Sequence, residues 1–201
     1  MENAEKMLEF IESRRSTRKF AEKAVEPEKL NQVLEAGRYA PSGGNNQYTH
    51  LLVIEKKEVL DQLAVMAERA FAAMEVTPDM YKSMANSVRQ SKKGGYIFHY
   101  QAQVLILTAN RKDYSNNLVD CACVLENMML MANALDLGSC WINQLKWLNE
   151  DPEILAYLRE LGLQDGERVY GGMVLGYADT PDGLPNRTPL PRTGNPVTTI
   201  R

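Results

Sequence analysis

Residues 117–137 read NLVDCACVLENMMLMANALDL, and this stretch decides the fold. Wound at about 100° per residue it is apolar almost all round, with Glu126, Asn133 and Asp136 supplying one narrow polar stripe. A helix with so little polar surface must be the buried centre of the protein. Asp120 and Asn127, seven residues apart, fall near the opposite side, so each needs a hydrogen-bond partner inside the protein or at an interface. The run MMLM reads as packing, because methionine fills irregular core gaps.

Working outward from this helix, Gly138 stands where it should terminate. SCWIN (139–143) then predicts a short strand, and EDPEILAYLREL (150–161) a helix entered through Asp151 and Pro152. VYGGMVLGYAD (169–179) is a further strand whose glycines mark close packing. Upstream, HLLVIE (50–55) and VLILTA (104–109) are short apolar runs that predict central strands buried on both faces. Residues 57–74 and 79–92 between them have helical patterns, broken at Thr77 and Pro78, and form an excursion over the sheet. A first helix carries Ala4, Met7, Leu8 and Ile11 and runs to about Arg14. A second starts at Pro27, presents Leu30, Val33, Leu34 and Gly37 on one face, and is stopped after Ala40 by Pro41. The tail, 180–201, holds five of the nine prolines and no periodic pattern, so it is expected to be disordered or draped on a partner subunit.

The chain has 201 residues, enough for one domain with a substantial core, and shows no internal repeat or second boundary. A single α/β or α+β domain over 1–201 is the expectation. Net charge is −3 and the sequence pI about 5.5, which disfavours general attraction to nucleic acid or an anionic membrane, so any anion site must be local. The opening MENAEKMLEFIESRRS does not read as a secretory signal, and no apolar run approaches a bilayer span, so a cytoplasmic location is expected. Cys121, Cys123 and Cys140 are an odd count, and the CxC pair has no second Cys/His pair at ligand spacing. Buried apolar thiols fit better than a metal or iron–sulfur site.

Three segments could carry chemistry. Arg14-Arg15-Ser16-Thr17-Arg18 puts three guanidinium groups around a hydroxyl in an acidic protein, which suits a phosphate; the plainer alternative is a solvated helix end. Pro41-Ser42-Gly43-Gly44-Asn45-Asn46-Gln47 offers small side chains and free backbone groups to a flat heteroaromatic ring, or is an ordinary turn. Gly138-Ser139-Cys140-Trp141 could present backbone N–H groups to an acceptor, or simply connect helix to strand. There is no GxGxxG signature for a dinucleotide pyrophosphate and no nucleophile–base pair to defend.

In this order and spacing the segments resemble the nitroreductase family of FMN-dependent oxidoreductases over nearly the whole chain. The plan comprises an R-x-S-x-R motif after the first helix, Ala40-Pro41-Ser42 followed by Asn45-x-Gln47, an apolar central helix, Gly138-x-x-Trp141, and Gly176-Tyr177 before an arginine-containing tail. Where many members have QPW, this chain has Gln47-Tyr48-Thr49. The resemblance implies an α+β fold, a mostly antiparallel sheet surrounded by helices, and a homodimer in which the tail wraps the partner. It implies that Arg14, Arg15 and Ser16 bind the FMN phosphate and ribityl chain, and that Arg18 reaches the pyrimidine end of the ring. Pro41, Ser42, Gly43 and Asn45 would come from the other subunit, Ser139, Cys140 and Trp141 would lie near flavin N5 and O4, and Arg192, or failing that Arg187, would complete the phosphate site. The activity implied is ping-pong transfer of electrons from NAD(P)H through flavin N5 to a small acceptor such as a nitroaromatic or quinone. A flavin-binding module without turnover is the rival, and other family activities include dehalogenation and enone reduction.

Overall fold

The computed structural model describes residues 2–201. In chain order the elements are α1 (Glu2–Ser13), α2 (Pro27–Arg38), β1 (His50–Ile54), α3 (Lys57–Ala72), α4 (Lys82–Ser91), β2 (Val104–Arg111), α5 (Asn117–Ala134), β3 (Gly138–Ile142), α6 (Gln144–Trp147), α7 (Pro152–Glu160) and β4 (Glu167–Gly176). The four strands form one sheet in the order β1-β2-β4-β3, with every neighbouring pair antiparallel.

Side chains alternate across this sheet and so define two cores. From β2, Leu105 and Leu107 join Leu63 and Phe71 of α3, Val88 of α4 and Ile154 of α7. Val104 and Ile106 point the other way, among Leu30 and Val33 of α2 and Val124, Leu125 and Met128 of α5. The expected central, doubly buried strand at 104–109 is therefore found. HLLVIE is not central: β1 is an edge strand, paired only with β2. Helices cover both of its faces, so Leu52 and Ile54 meet one core while Leu51 and Val53 pack against the other. Apolar residues record covered faces and carry no information about whether an edge is paired.

The central helix is α5, lying against α2 and across β2, β3 and β4. Its two anomalous polar residues are satisfied: Asp120 is buried and accepts the Gly43 N–H, and Asn127 donates to the Ala36 carbonyl at 3.0 Å. Two details differ from expectation. Asn133, assigned to the polar stripe, is buried. The helix also ends before Gly138: Asp136 takes the left-handed conformation at φ 61°, and Leu137 N–H donates to the Ala132 carbonyl in a Schellman-type closure. At α7 the Asp151 carboxylate accepts from the N–H groups of Glu153 and Ile154, the cap that its sequence predicts.

The first part of the tail is tied to its own chain by polar contacts. Thr180 and Asp182 form a side-chain-closed turn, Arg187 binds Asp136 and the Asn133 carbonyl, and Thr188 accepts from Arg15. Polar anchors, invisible to a search for apolar periodicity, do this. Among the described residues no helix is long and apolar enough to cross a membrane.

Candidate functional site

The site begins where α1 stops. Ser13 Oγ donates to the Phe10 carbonyl and accepts from Asn133 Nδ2 at 2.9 Å, so the end of α1 is pinned to α5. The chain then runs to the sheet edge: Ser16 bridges Ser139 in parallel, Thr17 N–H donates to the Ser139 carbonyl at 2.8 Å, and Phe20 bridges Ala178. Gly138 makes this approach possible, because a Cβ there would lie 2.7 Å from Thr17 Oγ1. The Gly138–Trp141 segment is thus strand rather than turn, with one carbonyl committed to Thr17.

This junction gathers positive charge. Arg14 has only a loose approach to Glu126, 3.9 Å away, and Arg15 donates to the Thr188 carbonyl. Arg18 has no carboxylate within 4.0 Å among the described residues. Cys140 is buried beside them: burial pushes its thiol up, while Arg18, Ser16 and Arg14 pull it back. Trp141 is half-buried, and its Nε1–H donates to Asn143 Oδ1 at 2.9 Å. Arg187, the less favoured tail arginine, is held 2.6 Å from both Asp136 Oδ1 and the Asn133 carbonyl, on the residue that pins α1. Arg192 is exposed and has no ion pair among the described residues.

The third predicted segment lies elsewhere. After Pro41 and Ser42, residues Gly43–Asn45 form a 3₁₀ turn with Gly44 and Asn45 left-handed, closed by Asn45 N–H to the Ser42 carbonyl and Gln47 N–H to Ser42 Oγ. Asp120 and Tyr114 fasten this loop at the start of α5. Ser16 meets Ser139 beyond the other end of α5, while Arg14 reaches back to Glu126 in the middle of that helix. Within one chain, then, the structure unites Arg14, Ser16, Arg18, Ser139 and Cys140, and keeps Pro41, Ser42, Gly43 and Asn45 apart from them. A cleft of about 510 Å³ beside the loop is lined by Arg38, Tyr39, Ser42, Asn45, Gln47 and Thr49.

Sequence reasoning did not single out Tyr96, Tyr100 and Gln144. Gln144 is buried and donates to the Tyr96 hydroxyl at 2.9 Å, which also bonds Ser87 Oγ. Burial raises the Tyr100 phenol, with Arg18 acting in the opposite sense. The only sequence signal was a Tyr-rich YIFHY following two glycines.

The fold is a four-stranded antiparallel sheet covered by helices, with Arg14, Arg15 and Arg18 gathered where Ser16 meets Ser139. The chain belongs to the nitroreductase family, whose sequence model matches residues 11–177. It is 29% identical to a nitrobenzene nitroreductase of Ectopseudomonas oleovorans, with 85% of this chain and 86% of that protein covered. It is 27% identical to a chloronitrobenzene nitroreductase of Comamonas testosteroni at 85% and 86% coverage. Among solved structures it is similar to a nitroreductase with bound FMN from Bacteroides fragilis, at a TM-score of 0.83 and 34% identity over 96% of this chain and 98% of that one.

Proposed function

We propose that this protein is an FMN-dependent oxidoreductase that passes electrons from NAD(P)H to a small acceptor, a nitroaromatic or a quinone, in a cytoplasmic homodimer. The observation that carries the reading is the junction of Ser16–Thr17 with Ser139, where Arg14 is only loosely paired with Glu126 and Arg18 has no carboxylate partner among the described residues, in an acidic protein. Such a donor set fits FMN, because guanidinium groups give paired, charge-assisted bonds to a phosphate.

In this reading Arg14, Arg15 and Ser16 hold the phosphate and ribityl chain. Arg187 ranks ahead of Arg192 as the tail contribution, since it already sits beside the residue that anchors α1. Arg18 faces the pyrimidine end and opposes the negative charge that builds up there on reduction. Ser139, Cys140 and Trp141 border the N5 and O4 side. Pro41, Ser42, Gly43 and Asn45 would reach the ring edge from the second copy. Bound FMN supplies hydride transfer at N5. If nicotinamide and acceptor use the same cofactor in turn, the kinetics would be ping-pong. The acidic balance argues against nucleic acid as a partner, and residues 1–201 act as one domain.

The test is a visible spectrum of the purified protein before and after anaerobic NADH and NADPH, with chromatography of the released chromophore. A yellow protein that releases FMN and is bleached by a nicotinamide is the expected result. A colourless protein that cannot be loaded with FMN overturns the reading. A yellow protein that neither nicotinamide bleaches is a binding module instead.

A further inference from the structure

The tail around Arg187 belongs to no helix or strand, yet hydrogen bonds shape it on both sides. Leu184 N–H donates to Asp182 Oδ1 at 3.1 Å, and Thr188 N–H donates to Asn186 Oδ1 at 2.8 Å. Two further contacts tie this stretch to the start of the chain. The Thr188 carbonyl accepts from Arg15, and Arg187 Nη2 lies 2.6 Å from both the Asn133 carbonyl and Asp136 Oδ1, donating to each. Asn133 in turn donates to Ser13 Oγ at 2.9 Å, so Arg187 is one hydrogen-bonded step from the residue that precedes Arg14.

Asp136 is the unexpected member of this set. It follows α5 at φ 61°, a left-handed position that glycine takes without steric cost. The side chains of Arg187 and Asp136 are 38% and 57% exposed, and an ion pair so open to water adds little to stability. Its effect is on direction. Both bonds use Nη2 alone, so Nε and Nη1 keep three N–H groups with no partner among the described residues. A free arginine on an irregular segment would spread over many rotamers, and an anion would have to freeze them on binding. We propose that Asp136 is a positioning residue, gripping one corner of the Arg187 guanidinium and leaving its other donors to a phosphate. This rests on the flavin reading above, in which Arg187 is the tail's part of the phosphate site, and adds to it a residue and a role.

The experiment titrates the full-length protein, freed of flavin, with FMN and with riboflavin, which lacks the phosphate, and records the thermal midpoint of each flavin-free variant. Asp136→Gly suits the left-handed backbone and should bind FMN about tenfold more weakly than the wild type does, with riboflavin affinity unchanged. Asp136→Asn also tolerates that backbone and keeps an acceptor oxygen for Arg187, so it should recover most of the loss. In an Arg187→Ala background Asp136→Gly should cost nothing further, since the group it orients is gone. Thermal midpoints of the flavin-free proteins should stay close to that of the wild type. Four results overturn this inference alone: FMN affinity indifferent to Asp136→Gly, an equal loss for FMN and riboflavin, a full loss in Asp136→Gly without Arg187, or tighter FMN binding once the carboxylate is removed. A wild-type chain that takes up neither flavin overturns the flavin reading and this inference together.

Discussion

Gly43 donates its backbone N–H to Asp120 Oδ1 at 3.1 Å, fastening the loop after α2 to the first turn of α5. Tyr114 hydroxyl lies 3.0 Å from the other carboxylate oxygen and 3.2 Å from the Gly43 carbonyl. The fit leaves no room for a side chain, since a Cβ at position 43 would come within 2.1 Å of Asn116 Nδ2. Asp120→Ala strands the Gly43 N–H, at about 1–3 kcal/mol for an unsatisfied group, while the Tyr114 hydroxyl can still donate to the Gly43 carbonyl. A loss of about 2 kcal/mol in urea unfolding is expected, with Asp120→Asn falling between because one acceptor oxygen remains. An unchanged urea midpoint in Asp120→Ala would show that the carboxylate does not hold the loop.

His99 gives a pH-dependent prediction. Its ring is 3% exposed, and neither nitrogen has a hydrogen-bond partner among the described residues. Burial holds its pKa below the ordinary 6.5, with Asp61 acting against that trend and Lys57 with it. Below pH 6.5 the unfolded chain therefore binds a proton that the folded one refuses. The His99 contribution is fully present above 6.5 and is lost as pH falls toward the folded pKa, with a slope of at most about 1.4 kcal/mol per pH unit. Replacing the ring by phenylalanine removes that slope. The urea midpoint of His99→Phe should gain on the wild type between pH 6.5 and 5.5; parallel pH profiles would refute the assignment.

Arg14 and Arg18 flank Ser16 yet are expected to act on different properties. Arg14→Ala removes charge-assisted bonds to a phosphate, worth about 1.5–3 kcal/mol each, so FMN affinity should fall roughly 10- to 100-fold. Arg18→Ala should lose less affinity but make the bound flavin harder to reduce, because a positive charge beside the reducible ring is gone. Titration with FMN and redox titration against a reference dye measure the two separately. Equal losses of affinity with no change in potential would contradict the division of roles.

How far the sequence carried these arguments depends on the kind of interaction involved. α5 was legible because helical periodicity reports burial directly, and the Asp151 cap because its chemistry is local. β1 was misplaced because Leu51, Leu52, Val53 and Ile54 are covered on both faces whether or not the strand has two neighbours. Asp136 took the left-handed position expected of a glycine near 138, while Gly138 serves the approach of Thr17, a long-range need that no local pattern encodes. The motifs of the site could be found in the chain, but their placement along α5 could not.

The last prediction is that dimerisation and flavin retention are linked. A groove of about 550 Å³ between α1, α2 and α5 is lined by Met7, Phe10, Tyr39, Leu130 and Met131, and Tyr39 is 81% exposed. The tail is anchored through Thr188; beyond it Leu190, Val197 and Ile200 are exposed on an extended segment. Apolar side chains on an extended strand and an open apolar groove are complementary surfaces, and burying both between two copies would give an interface above about 2,000 Å², as obligate dimers have. A dimer would also let the Pro41–Asn45 loop of one copy meet the arginine junction of the other. FMN should then raise the thermal midpoint by mass action. Truncation after Pro189 keeps Arg187 and Thr188 in place and removes only the exposed part, so it should weaken the dimer and release flavin without unfolding the core. Light scattering coupled to absorbance in the flavin band measures all of this at once. The wild type should elute at twice the 22.7 kDa chain mass with FMN bound, and the truncated protein at lower mass with less FMN. A 22.7 kDa species that keeps stoichiometric FMN on dilution would refute the shared site, even if it still turned over.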